Sequence, residues 1–583
     1  MDMEASTAPT EKHYEVIVIG SGFGGSVVAC RTAQKWKGNV LVLERGKRYG
    51  RNSFPRSPDE IRENLWEVDG QSKGKPLEHQ DRNGLFDVRR FRHMHAIVAA
   101  GVGGGSLIYA NVILRPPKEV FTDGAWGAAG SVAGMDLYYC VAKSVLGART
   151  VPTGADRPLG RTEVFQSVAL QLRRTSTPAE VAVFFGKYPD GLLSPGASSE
   201  NRFGATQTSC TYCGECDIGC NLHAKNTLDL NYLYAAEHTH GATVRANSLV
   251  DRVCPRNAAG DDDPGRDGGH GYRVYYRDLG PDGEEESVTA TRVVLGAGAL
   301  GSTELLLRCR EIHNTLPNVS KTLGTKFSGN GDFLSIVAGA NQPTHPEDGP
   351  VITQYIDFNL FDNHDPKRAF IMEDAGFPNM IAWFIEGIKP KFFLVRTIWR
   401  TARDVVPRWL RGRSGGRIGY QVRDEFGGNI TNHSAALLCM GIDNAMGRLV
   451  LDRNGWINLR WPVRRNRKLY RAIVAAAKSF GKKLGTRLVV SAPNWYLPYR
   501  RNITVHALGG CPLGTDSNTG VVSNAEKGFG AVFGYQNLFV ADGAIVPVAL
   551  GANPSLTIAA LAERVANTIT GLVPDDTLGV PAP

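Results

Sequence analysis

Short continuous apolar runs followed by glycine clusters and helical stretches recur three times along the chain. Tyr14–Ile19 reads YEVIVI, short and apolar enough for a buried strand. It runs into Gly20-Ser21-Gly22-Phe23-Gly24-Gly25, then a helical stretch from Ser26 to about Lys35, then a second strand pattern, Asn39–Leu43, ending at Glu44. Val293–Leu295 leads likewise into Gly296-Ala297-Gly298-Ala299-Leu300-Gly301-Ser302 and a helix to about Arg308. Asn537–Val540 leads into Ala541-Asp542-Gly543, then Gly551-Ala552-Asn553-Pro554-Ser555 and a helix to about Ile569. Asn553 suits an N-cap and Pro554 a first helical residue. Phe370–Ala375 reads as a strand carrying Glu373, and a helix is expected near Met135–Val145. Val351–Phe361 and Ile381–Ile385 are alternating or aromatic-rich, whereas acidic, glycine-rich Ala258–Gly271 reads as an exposed hairpin or loop.

The first glycine cluster matches GxGxxG at Gly20, Gly22 and Gly25. Gly20 permits a tight turn, Gly22 lets the backbone approach a pyrophosphate, and Gly25 lets the helix pack on the strand. The helix N-terminus offers free N–H groups to phosphates. Glu44 is placed to accept from a ribose hydroxyl, which disfavours a 2′-phosphate and so NADP. The run Gly101-Val102-Gly103-Gly104-Gly105-Ser106 lies between apolar residues and costs backbone entropy, so it calls for close approach to a large cofactor. Gly20–Gly25, Gly101–Ser106 and Gly296–Ser302 make three clusters spread over the chain, more than a single nicotinamide site needs.

At 583 residues, the chain is longer than one hydrophobic core usually supports. Its 42% hydrophobic and 21% charged residues are ordinary globular values. A net charge of +9 favours anionic surfaces in general, but no base-reading motif points to nucleic acid. With no targeting stretch and no apolar run of bilayer length, a cytoplasmic setting with reduced thiols is expected for the ten cysteines.

Gly20–Gly25, Gly101–Asn111, Gly296–Leu307, His506–Gly514 and Ala541–Arg564 resemble, in order and over nearly the whole chain, the GMC (glucose–methanol–choline) oxidoreductases, most closely the bacterial cholesterol oxidase branch. The resemblance implies an α/β (α+β overall) fold. A Rossmann-like FAD domain would comprise 12–112, 228–332 and 502–570. A substrate domain on a large, mainly antiparallel sheet would comprise 333–501, with 113–227 as linking and cap segments. The resemblance also implies FAD contacts at Gly20, Gly22, Phe23, Gly24, Gly25, Glu44, Gly103, Gly104, Gly105, Ser106, Tyr109, Asn111, Val250, Gly296, Ala297, Asp542, Gly543, Pro554 and Ser555.

The reaction so implied sets an alcohol carbon over flavin N5, with His506 taking or orienting the hydroxyl proton and Asn553 holding the same oxygen. Many members have a second His where this chain has Asn553; the cholesterol-oxidase branch has Asn. The expected substrate is the 3β-hydroxyl of a sterol or another bulky hydrophobic alcohol, with oxygen as acceptor. An electron carrier as acceptor, or a non-catalytic steroid-binding flavoprotein, are the alternatives. Glu373 resembles a glutamate that moves a proton during steroid double-bond isomerisation; a strand-end surface acid is the plain alternative.

Cys210, Cys213, Cys216 and Cys220 follow the spacing of a bacterial ferredoxin run, with Asn221 replacing the usual proline. One cluster would need a distorted fourth ligand or a remote one such as Cys254 or Cys511. The spacing is not typical of zinc. A thiol-rich structural turn is favoured over an iron–sulfur centre. Lys389–Arg413 interleaves apolar and basic residues, including Trp399 and Trp409, with Pro407 placed to kink a helix. It reads either as an amphipathic helix on an anionic membrane surface or as a cover over the substrate cavity.

Overall fold

The computed structural model describes residues 12–67, 83–152, 159–280, 283–362, 365, 367–378, 429–486, 488–492 and 500–580. Ile381–Ile385 and Lys389–Arg413 lie outside the described residues.

The strand His13–Ile19 pairs in parallel with Val40–Leu43 on one side and with Glu285–Leu295 on the other. Leu538–Val540 extends this parallel sheet at one side and Thr243–Arg245 at the other. Val16–Ile19 and Val40–Leu43 are buried, as a parallel sheet covered on both faces requires. The early half of Glu285–Leu295 pairs antiparallel with Tyr272–Asp278, which pairs with Ser248–Pro255.

The helix Phe23–Lys35 packs on Ser555–Thr570, which also packs on Val132–Val145. A buried ion pair, Arg31 Nε to Glu563 Oε2 at 2.8 Å, fastens the first two, and Tyr232 Oη donates to Glu563 at 2.8 Å. The helix Ser555–Thr570 is buried along most of its length, which is why its sequence is apolar on several sides.

Among the described residues, a second sheet has six strands and is antiparallel throughout. Its order is Leu488–Ala492, Phe333–Ala338, Ser434–Gly441, Phe370–Glu373, Gln354–Phe358 and Ser176–Pro178. The edge strand Ser176–Pro178 comes from the stretch read as linking and cap segments. The helix Arg467–Lys483 covers one face with Leu469, Tyr470, Ile473, Ala477 and Phe480. A three-stranded sheet, Phe86–Arg90, Met94–Ala99 and Asn502–Thr504, delivers the chain to His506.

The expected helices begin earlier or end later than read: Phe23–Lys35, Val132–Val145 and Gly298–Glu311. The Ala258–Gly271 stretch forms the loop joining Ser248–Pro255 to Tyr272–Asp278. One local reading needs correction. The last helix starts at Ser555 with Pro554 in the cap position, and no side chain caps it. Asn553 lies one residue too early to cap, and its amide sits beside Glu373 instead. Among the described residues, no helix is long and apolar enough to cross a membrane.

Candidate active site

Four glycines bring separate loops into backbone contact. A methyl at Gly24 would lie 1.8 Å from the Ala541 carbonyl oxygen, and one at Gly25 2.0 Å from the Gly20 oxygen. A methyl at Gly104 would lie 2.5 Å from Gly22 Cα. Gly20, at φ +94°, would press a methyl to 2.7 Å from Ala297 Cα. Gly22 is different: a methyl there would have only the Gly296 oxygen nearby, at 3.9 Å. Among the described residues, nothing fills the space at Gly22. The helix that follows has no side-chain cap and no acid in its first turn, so its leading N–H groups are left for a ligand.

Buried carboxylates tie this cradle together. Glu44 ends its strand with three protein donors: Ser21 N at 3.0 Å, Ser21 Oγ at 2.7 Å and Gly46 N at 2.9 Å. It therefore braces the first glycine turn, leaving limited acceptor capacity for a ribose. Asp542 accepts from Gly298 N and Ala544 N, both at 2.8 Å, and from Ser302 Oγ; burial pushes it up to about 6. Gly543 O accepts from Gly509 N at 2.8 Å, which docks the turn after His506 onto the cradle.

The remaining cofactor candidates line or brace the same loops. Ser106 Oγ donates to Gly103 O and accepts from Leu228 N. Phe23 meets Tyr109 edge-on at 5.5 Å, and Ala297 N donates to Ser302 Oγ. Ser555, next to Pro554, donates to Val112 O at 3.2 Å. Val250 borders a register shift in its strand. Asn111 is fully buried at φ +68°, and neither amide atom has a partner among the described residues. Asp229 Oδ1 is likewise unpartnered beside Gly103. Orphaned buried polar atoms cost roughly 1–3 kcal/mol each. Together with the room at Gly22, they fit a polar dinucleotide.

At the reacting end, His506 Nδ1 lies 2.8 Å from Asp332 Oδ1. Glu373 ends the strand Phe370–Glu373, is wholly buried, and neither carboxyl oxygen has a well-formed partner among the described residues. Burial holds it well above the usual carboxyl range, and the neighbouring Asp374 and the Asp332 charge push the same way; the Asn553 amide opposes them. Asp374 accepts from Thr353 N and Gln354 N at 2.7 Å and pairs with Arg161. Asn553 Oδ1 is buried without a partner among the described residues.

The sequence reading passed over the segment that joins these groups, Ser328–Asp332. Asn330 Oδ1 accepts from Leu550 N and Gly551 N at 2.9 Å, and its Nδ2 donates to Ala552 O at 2.8 Å. It thereby holds the loop that carries Asn553, while Asp332 holds His506. The glycine-rich turn Ser328-Gly329-Asn330-Gly331-Asp332 was the available signal, but it lacks the strand and helix context of the other clusters.

The cysteine turn runs from buried Cys210 through exposed Cys213 to half-buried Cys216 and Cys220. Tyr212 N donates to Cys210 Sγ and Ala224 N to Cys220 Sγ. Burial pushes the Cys216 thiol up to about 11, and Cys210 and Cys213 are also raised by burial. The buried Lys225 ammonium donates to Leu107 O, Tyr109 O and Cys216 O at 2.8–3.1 Å. It clamps the turn to the Gly101–Asn111 loop. Among the described residues, no group of three or more His, Cys, Asp or Glu is placed to hold a metal ion.

A glycine-rich cradle is thus joined to a histidine-bearing turn and to an antiparallel sheet carrying a buried carboxyl. The chain belongs to the GMC oxidoreductase family: the amino-terminal family model matches residues 14–324 and the carboxy-terminal one residues 456–562. It is an FAD-dependent oxidoreductase acting on CH–OH donors. A cholesterol oxidase of Acinetobacter baumannii is 30% identical over 94% of this chain and 93% of its own. A long-chain-alcohol oxidase of Arabidopsis thaliana is 22% identical over 96% of this chain and 67% of its own. Among solved structures, a pyridoxine 4-oxidase matches with a TM-score of 0.56 at 16% identity, covering 96% of this chain and 99% of its own.

Proposed function

We propose that this enzyme oxidises the 3β-hydroxyl of a sterol, passes the electrons to oxygen, and moves the steroid double bond. The observation that carries the reading is Glu373, wholly buried and without a well-formed hydrogen bond among the described residues, beside Asn553. Oxidising an alcohol needs no such group, whereas moving a carbon-bound proton does. The cholesterol oxidase relatives at 30% identity support the same substrate class.

Bound FAD supplies the hydride acceptor. Asn111, Asp229 and the N–H groups at Gly22 would hold it. In this reading, His506 Nε2 takes the hydroxyl proton while Asn553 fixes the oxygen. Glu373, whose proton affinity burial raises, is the stronger base for a weakly acidic C–H once ionised. Its position on a strand of the antiparallel sheet puts that base on a rigid support.

The test is anaerobic mixing with a panel containing a 3β-hydroxysterol, long-chain primary alcohols and small polar alcohols, followed by oxygen. The sterol should bleach the flavin fastest, and oxygen should restore its colour within the turnover time. Bleaching only by primary alcohols would remove the sterol assignment. Bleaching without reoxidation by oxygen would replace it with a dehydrogenase that needs a carrier.

A further inference from the structure

The geometry points to Asp332 as the positioning residue that fixes the proton on His506 Nδ1 and leaves Nε2 free to act as the base. This rests on His506 being the base of the proposed reaction. Asp332 is 2% exposed. Its Oδ2 accepts from Val505 N at 2.9 Å and Thr504 Oγ1 at 2.9 Å, and from His506 N at 3.1 Å, a donor shared with Thr504 Oγ1. Its Oδ1 faces His506 Nδ1 at 2.8 Å. A carboxylate only accepts, so Nδ1 must carry the hydrogen and Nε2 the lone pair.

The surroundings forbid a swap. Backbone N–H groups cannot turn round, so the Oδ2 position must stay an acceptor. An asparagine at 332 would place its single oxygen there and its NH2 against Nδ1. The ring would then have to accept at Nδ1 and carry its hydrogen on Nε2, where it could not take a proton. Asp332 also offsets the positive charge that the imidazole gains when Nε2 is protonated. The carboxylate is held in place by its own turn. Asp443 accepts from Ser328 Oγ at 2.9 Å and from Gly329 N and Gly331 N at 3.0 Å, fixing the segment from the other side.

The test is a double-mutant cycle on the FAD-loaded enzyme: parent, Asp332→Asn, His506→Gln and the double variant. The readout is the limiting anaerobic rate of flavin reduction by whichever alcohol of the panel reduces the parent fastest, with FAD content measured for each. Asp332→Asn should lose roughly 10²–10⁴-fold, the range expected for losing a base through the wrong tautomer. In the His506→Gln background, the same change should cost less than about threefold, because its effect runs through the imidazole. A single variant within about threefold of the parent overturns the proposal. So does a double variant showing the full product of the two losses, which would mark a purely structural carboxylate. If Asp332→Asn does not retain FAD, Asp332→Ser goes through the same cycle with the same two outcomes. A His506→Gln enzyme at the parent rate would instead overturn the reading of His506 as the base, and with it this one.

Discussion

Glu373 carries a pH signature that can be read apart from catalysis. In the unfolded chain it ionises near 4.5, whereas burial and the Asp374 charge hold the folded carboxyl well above that. Between those two values, the unfolded state has released a proton that the folded state keeps, so this group's effect on stability becomes less favourable as pH rises. Glu373→Gln removes the dependence. Denaturant unfolding should find the variant more stable than the parent at neutral pH, with the gap closing below about pH 4. In turnover, the variant should still oxidise a sterol but release the unconjugated ketone, seen as missing ultraviolet absorbance of the conjugated enone. Unchanged enone formation would move the isomerising base elsewhere. His506 and Glu373 stood out in the sequence because each sits in a recognisable local segment. Asp332 did not, because its bond to His506 joins residues 174 positions apart. Asn553 was legible as a polar residue before a helix, but the capping rule gave it the wrong local partner.

The glycine turns make a prediction about elements that separates folding from cofactor binding. A methyl at Gly24 would strike the Ala541 carbonyl at 1.8 Å, whereas one at Gly22 would meet nothing closer than 3.9 Å among the described residues. Gly22 also has φ −74°, which any residue adopts. Gly22→Ala should therefore leave the thermal midpoint of the FAD-free protein within a degree or two, roughly the scatter of a neutral surface change, yet weaken FAD binding at least tenfold. Gly24→Ala should lower both. Equal midpoints for the two FAD-free variants would show that the loops are not packed as described. These strand–glycine–helix units were readable because backbone sterics are local. The antiparallel sheet was expected only as a class. Its order depends on partners as distant as Ser176–Pro178 and Gln354–Phe358, which no short window of sequence contains.

At the scale of the whole molecule, the cradle gathers loops around Gly20–Gly25, Gly101–Asn111, Gly296–Gly301 and Ala541–Ser555 from four parts of the chain, and two of the helices that follow these loops pack directly on each other. The helices Phe23–Lys35 and Ser555–Thr570 are packed together and joined by the buried Arg31–Glu563 pair. The polar atoms without a partner among the described residues, those of Asn111 and Asp229, lie instead on and beside the Gly101–Asn111 loop. Stripping FAD should therefore loosen the cradle without unfolding the chain. Hydrogen exchange of the FAD-free protein should show protection retained in residues 23–35 and 555–570 and lost around 101–111 and 226–231. Adding FAD at one hundred times its Kd should restore that protection and add about 2.7 kcal/mol of stability, as binding to the folded state alone requires. Loss of protection in the two helices together with the loops would mean that the cofactor, not the helix pair, holds the ends of the chain together.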